Sequence, residues 1–427
     1  MKNSGIEWIG EIPDDWKVER LQWYIEEVKV SNNPMQTDRV LSLTNKAGVI
    51  PYEEKGAQGN VAKEDYTQYK LAYPNTIVAN SMNILIGSVG ICNYFGCVSP
   101  VYYVFKPTKK ADLLFINYIM QTIPFQKELR RYANGILEIR LRVSANGILK
   151  RKIAIPSLEK QKNIVDGINK KCAAVDRLIE NQQAQIEKLK EYKQSVISEA
   201  VTKGLDSTVP MKDSGIKWLG KIPKNWEIKR TKYVANSIFK GNGITKEDIV
   251  IDGDTPCLRY GEIYSKYDIA FRQCNTKTNK ANLSVLQYFH YGDILFAGTG
   301  ELVEEIGKNI VYLGEEECLA GGDIIVLRHK QNPAFLNYAL YAMCSQMQKS
   351  YGKAKLKVVH ISAAEIGNIY IALPSIIEQQ YIAEYLDKKC AEIDKLISIK
   401  QQKIEKLQEY KKSLIYEYVT GKKQVLI

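Results

Sequence analysis

Histidine is scarce. The chain has three, His290, His329 and His360, and none has neighbours in the pattern of a metal-ligand set or a nucleophilic triad. No Gly-x4-Gly-Lys-Ser/Thr loop occurs, so no standard ATP site is visible, and no Gly-x-Gly-x-x-Gly follows a strand-like run. The Asn/Asp-Pro-Pro-aromatic segment of an adenine methyltransferase is missing as well. No run of about 18 apolar residues exists, and Met1-Lys2-Asn3-Ser4-Gly5 lacks the apolar stretch of a signal peptide, so the expected location is the cytoplasm. The 8 cysteines fit that compartment, being scattered without disulfide-framework spacing. The closest pair, Cys92 and Cys97, has no nearby histidine and reads as small apolar core residues. The sequence therefore points to a reader or scaffold with no catalytic residues, no metal and no cofactor of its own.

What is abundant is positive charge. Lys and Arg number 60 against 48 Asp and Glu, a net charge of +12, which makes a polyanion a plausible partner, whether nucleic acid or a membrane surface. A length of 427 residues suits two or three domains.

The chain also repeats itself. Ser-Gly-Ile-x-Trp-x-Gly-x-Ile-Pro-x-x-Trp occurs at 4–16 and again, 210 residues on, at 214–226. A second pair matches at an offset of 218. Ile155-Pro156-Ser157 opens a long segment ending near Thr202, and Leu373-Pro374-Ser375 opens its twin ending near Thr420. Between these motifs, residues 20–150 and 230–370 share little identity. A duplicated frame presenting two different inserts is the simplest reading, divided as 1–155, 156–204, 205–372 and 373–427.

Both long segments read as helices, rich in Ala, Glu, Gln, Lys and Leu and free of proline after the first turn. Each runs about 45 residues, roughly 70 Å. Apolar residues follow heptad spacing: Ile168, Cys172, Val175, Ile179, Ile186 and Leu189 in the first, Leu386, Cys390, Ile393, Ile397, Ile404 and Leu407 in the second. Polar residues interrupt both seams, Gln182 and Lys193 against Lys400 and Lys411, where they can fix register. Mutual antiparallel pairing is expected, with separate packing of each helix on its own domain as the alternative. Lys203-Gly204 reads as a helix stop.

The middles read as α+β domains of roughly 140 residues. Strand-like runs include Thr76–Ala79, Val101–Phe105, Asp293–Phe296 and Asp323–Leu327, and helices are expected near Asp112–Tyr132 and Pro333–Tyr351. Gly241-Asn242-Gly243 and Gly298-Thr299-Gly300 read as tight turns. Basic residues gather late in each middle: Lys127, Arg130, Arg131, Arg140, Arg142, Lys150, Arg151 and Lys152, then Lys349, Lys353, Lys355 and Lys357, with Tyr132, Tyr351 and His360 alongside. Such segments suit contacts to DNA phosphates, though a solvated charged face has the same composition. Trp8, Trp16, Trp218 and Trp226 are expected to be packing anchors.

Two divergent domains alternating with two near-identical long helices resemble the specificity subunits of type I restriction-modification systems. The resemblance spans essentially the whole chain and is sharpest in the paired Trp motif and the Ile/Leu-Pro-Ser…Gln helix openings. Ser157 and Ser375 stand where the family usually has a second Pro. Glu378-Gln379 keeps the family's Glu-Gln pair, whereas Lys160-Gln161 keeps only the Gln. The resemblance implies an α+β fold in which two target-recognition domains alternate with helices paired as an antiparallel coiled coil. It implies that each domain reads one half of a split site in double-stranded DNA, and that the helices set the gap and dock two methyltransferase subunits. S-adenosylmethionine, and ATP and Mg for two motor-nuclease subunits, belong to those partners; no membrane is involved. Within this reading Arg130, Arg131, Arg140, Arg142, Lys353, Lys355 and Lys357 contact phosphates. Asn80, Ser81, Asn83, Arg259 and Tyr260 approach base edges, and Lys240 joins the DNA-contacting set. Rival readings are a coiled-coil scaffold with only non-specific DNA binding, a one-chain enzyme, and a stand-alone repressor lacking an evident groove-reading helix.

Overall fold

A computed structural model describes residues 1–44, 48–55, 65–135, 141–283, 285–354 and 358–424. The chain divides into two units, Met1–Gln183 with Gln402–Ile427, and Ala184–Gln401.

In the first unit a four-stranded antiparallel sheet runs in the order Ile25–Val28, Tyr102–Pro107, Thr76–Asn80 and Val89–Cys92. Helices α1 (Leu113–Gln121) and α2 (Ile123–Arg130) stand where one helix was expected over Asp112–Tyr132. The break falls at Thr122, which is in extended backbone, and Pro124 sits in the first turn of α2, where its missing N–H costs nothing. Asp112 caps α1 by accepting from the Phe115 N–H at 3.0 Å. A short α3 (Ala145–Leu149) precedes strand Lys152–Ile155. The 46-residue α4 (Leu158–Lys203) then begins.

The second unit holds α5 (Tyr260–Ser265), α6 (Pro333–Tyr341), α7 (Met343–Ser350), α8 (Ala363–Gly367) and most of the 44-residue α9 (Ile376–Val419). Its two five-stranded sheets are richer than their counterparts in the first unit. One orders Ala235–Lys240, Ile324–His329, Ile294–Ala297, Asn309–Tyr312 and Ala270–Phe271. The other orders Ile249–Val250, Thr276–Thr278, Thr255–Leu258, Cys318–Ala320 and Tyr288–Phe289.

The two repeated motifs turn out to be halves of one module. Lys17–Arg20, directly after the first Trp motif, pairs antiparallel with Lys152–Ile155, directly before α4. Glu227–Arg230 pairs with Tyr370–Leu373, before α9, in the matching register. Trp16 and Trp226 are buried at the heart of each module, as packing anchors should be. Trp8 and Trp218 are partly buried and stack edge-on, Trp8 on Phe125 at 5.7 Å and Trp218 on Tyr351 at 5.4 Å.

The long helices pair with each other. In the first unit early α4 lies against late α9, and in the second unit late α4 lies against early α9, so the pairing is antiparallel. Ile168, Cys172, Val175, Ile186, Leu386, Cys390, Ile393 and Ile404 are buried in the seam. Ile179, Leu189, Ile397 and Leu407 are half-buried, at equivalent places in the two helices. The polar interruptions are partnered: Lys193 with Asp394, Lys411 with Asp176 and Lys400 with Gln185.

Candidate nucleic-acid interface

The glutamine of each helix opening is what fastens a domain to its helix. Gln161 is fully buried. Its amide donates to the carbonyls of Pro156 at 3.1 Å and Lys110 at 3.2 Å, and its carbonyl accepts from the Asp112 N–H at 2.8 Å. Gln379 repeats the arrangement, donating to Pro374 O at 3.0 Å and Gln331 Oε1 at 2.8 Å and accepting from the Asn332 N–H at 3.1 Å. Each therefore ties the start of a long helix to the cap of the domain helix above it, α1 or α6. Further along, Tyr118 hydrogen-bonds Asn169, and the equivalent Tyr338 donates to Asp387 at 2.8 Å.

The two halves differ at the residue before that glutamine. Glu378 accepts from Trp226 Nε1 at 3.0 Å. Lys160 instead reaches Asp15 at 2.5 Å, and this bond holds the Asp15 carboxyl below its usual range. The substitution is thus a local exchange of one anchor to the Trp motif for another.

Several residues expected to hold phosphates are committed inside the protein. Lys353 donates to His360 O at 2.6 Å and Glu365 at 2.7 Å, with its side chain only 13% exposed. Lys349 is buried, its amine on Gly307 O at 2.9 Å and Asn309 Oδ1 at 2.7 Å. Arg151 stacks on Tyr132, 3.2 Å from the ring centroid, and donates to Gly147 O at 2.9 Å. Arg131 pairs with Glu7 at 2.9 Å and Glu128 at 3.4 Å, though it stays largely exposed. Arg130 and Arg142 are exposed. Arg140, Lys355 and Lys357 lie outside the described residues.

The expected base-reading loop of the first domain also needs correction. Asn80 and Ser81 are buried. The Asn80 side-chain Oδ1 accepts from the N–H groups of Met82 and Asn83 at 2.9 and 3.3 Å, while the Ser81 backbone pairs with Val101 and Val143. They build the turn, a common use of Asn that a sequence does not separate from recognition. Asn83 is exposed.

In the second domain the structure does bring expected residues together. Lys240, Arg259 and Tyr260 line one cleft of about 580 Å³, with Lys246 and Gly321-Gly322-Asp323. Sequence reasoning missed the last two contributions. The signal available was the glycine pair after the apolar run 318–320, a mark of close backbone approach. Lys240 lies 3.3 Å from Asp323, both well exposed. The turn Gly241-Asn242-Gly243 packs here: a Cβ on Gly241 would come within 2.3 Å of Gly321 O.

Each of the two dissimilar sheet domains is thus held by a copy of one duplicated frame. Residues 223–409 match the family described as type I restriction modification DNA specificity domain. The chain is 26% identical over 434 residues to the type I restriction enzyme MjaVIII specificity subunit of Methanocaldococcus jannaschii, covering 97% of this chain and 94% of that protein. It is 25% identical to the putative MjaX specificity subunit of the same organism, covering 98% and 96%. Its fold matches a chain from a solved structure of complex assembly and conformational transition in the type I R-M system, with a TM-score of 0.68, 14% identity and coverage of 96% and 98%. The HsdS subunit of Thermoanaerobacter tengcongensis matches with a TM-score of 0.51 at 15% identity, covering 99% and 100%. In sequence and in fold the chain is thus similar to type I restriction-modification specificity subunits.

Proposed function

We propose that the chain reads a bipartite DNA target for a type I restriction-modification complex and performs no chemistry itself. The carrying observation is the repeated module: a duplicated frame holds two domains whose sheets differ, as two half-sites of different sequence require. Each domain reads one half-site of double-stranded DNA. The helix pair sets the gap and offers two equivalent surfaces to two methyltransferase subunits, which bring S-adenosylmethionine and methylate one adenine per half-site. Two motor-nuclease subunits, with ATP and Mg, add cleavage of unmethylated DNA. The complex acts in the cytoplasm.

The test is a genome-wide methyladenine map of a methylation-free host expressing the chain with its neighbouring methyltransferase subunit. The expected outcome is a split motif, two short fixed halves around a constant unspecific gap. Stable co-purification without methylation, or methylation without a shared motif, overturns the reading in favour of a scaffold. A scaffold would also show sequence-blind binding that salt largely abolishes.

A further inference from the structure

Three stretches far apart in the sequence converge on the second-domain cleft: 240–246, 259–261 and 321–323. Its floor is bare backbone. A Cβ on Gly321 would meet Leu258 O at 2.9 Å and the Cα of Arg259 at 3.4 Å, and one on Gly322 would meet the Cα of Gly243 at 3.0 Å. Close packing of the loops thus depends on glycine, and the side chains left facing the space are mostly cationic or aromatic.

Arg259 is the unusual member. It is half-buried, and its Nε is enclosed with no hydrogen-bond partner among the described residues. The nearest carboxylate in sequence, Glu262, is already spent: it accepts from the Arg259 backbone N–H at 3.0 Å and from Lys266 at 2.6 Å, and it bonds Thr276. An enclosed donor without a partner is rare in a folded protein and calls for a reason.

With Nε enclosed, the guanidinium has its terminal nitrogens to offer, a planar fork of parallel N–H donors. That fork fits two acceptors side by side. In the major groove guanine alone supplies them, as O6 and N7. Adenine sets an amino donor beside N7, cytosine offers a donor, and thymine a single acceptor next to a methyl. Phosphates run along the edges of a groove, where exposed Lys246 can meet them as a point charge.

We propose that Arg259 reads the guanine of one G·C pair in the half-site of the second domain, with Lys246 as a phosphate anchor at the cleft rim. This assignment rests on the DNA-reading function proposed above and names the base class that this cleft takes.

The experiment is the same methylation map, repeated for the full chain carrying Arg259→Ala, Arg259→Lys or Lys246→Gln, each co-expressed with the methyltransferase subunit. Both Arg259 variants are expected to relax one G·C position on the order of ten- to hundred-fold, leaving the other half-site and the gap unchanged. Lys246→Gln is expected to lower methylation at every site with the motif intact. Arg259→Lys keeps the charge and loses the fork, so it carries the test if the alanine variant fails to accumulate. A half-site without a fixed G·C pair, full selectivity in Arg259→Lys, or a uniform loss of methylation in Arg259→Ala overturns the assignment while leaving the DNA-reading function standing. A wild-type chain that directs no split motif overturns both.

Discussion

Lys411 Nζ lies 2.7 Å from both carboxylate oxygens of Asp176, and its repeat equivalent Lys193 lies 2.9 Å from both oxygens of Asp394. The same cation therefore fixes the register of each unit's helix pair, once from α9 and once from α4. A lysine on an apolar seam costs some stability and restricts which alignments are satisfied, because a slipped helix would leave its ammonium without a carboxylate. The match also breaks down in one respect: Lys193 reaches a second carboxylate, Asp268 of the second domain, at 2.8 Å.

That asymmetry sets an order of effects. Lys193 is 9% exposed in its side chain and serves two carboxylates, whereas Lys411 is 32% exposed and serves one. Lys193→Met should destabilise the protein by about 1 kcal/mol, through two ion pairs lost to carboxylates that stay in solvent. Lys411→Met should cost less, with one ion pair lost. Thermal unfolding of the two variants checks the order, and equal losses would contradict it.

Gln161→Leu and Gln379→Leu each remove three hydrogen bonds from a buried site. Both should lower stability by about 1–3 kcal/mol with the helix content by circular dichroism unchanged. Proteolytic nicking is expected to rise first near 110–112 in the former and 330–332 in the latter. Unaltered digestion patterns would mean that these glutamines do not fasten the domains.

The glycines that end the long helices make a graded pair. Gly204 and Gly421 have φ of 76° and 75°, so alanine at either costs roughly 1–2 kcal/mol from backbone strain. At Gly204 the added Cβ would sit 3.3 Å from the Trp226 ring, an adjustable contact, but at Gly421 it would fall 2.5 Å from Cδ of Pro13. Gly421→Ala should therefore melt lower than Gly204→Ala. The reverse ranking would argue against the docking of the α9 end on the first Trp motif.

Burial pushes the Lys349 ammonium down to about 7. In the unfolded chain the same group titrates near its ordinary value of about 10.4. Between those limits the unfolded state holds a proton that the folded state has lost, so Lys349 makes stability rise with pH through that window. Lys349→Met should flatten this rise while costing stability at the alkaline end, since Asn309 and Gly307 lose their donor. Unfolding curves of wild type and variant at pH 6, 7, 8 and 9 give the difference. A parallel dependence in the two proteins would refute a neutral buried amine.

The parts of the fold that were legible in the sequence are those whose signal is periodic or duplicated. Heptad spacing located the seam from Ile168 to Leu189 and its twin, and repetition located the Trp motif. That the two repeated motifs pair as strands, Lys17–Arg20 with Lys152–Ile155, is a contact over more than a hundred residues that no local pattern announces. Charge runs misled for a similar reason. Composition does not distinguish a lysine in water from one such as Lys353, whose amine lies on a carbonyl and a glutamate. The cleft residues Lys240, Arg259 and Tyr260 were nameable singly, but their meeting with Lys246 and Gly321 depends on the crossing of three loops.

Gly204 is joined to its Trp motif by nine residues, Leu205 to Asp213, while Gly421 meets the first Trp motif with almost the whole chain between them. One contact is thus held at high local concentration by its tether, and the other is held by surface complementarity and bonds such as Tyr416 to Trp8 O at 2.7 Å. Covalent connectivity and spatial adjacency are decoupled. Severing the backbone at Asp206 would turn the tethered contact into a copy of the untethered one, and the two fragments would still carry complementary surfaces at both helix ends.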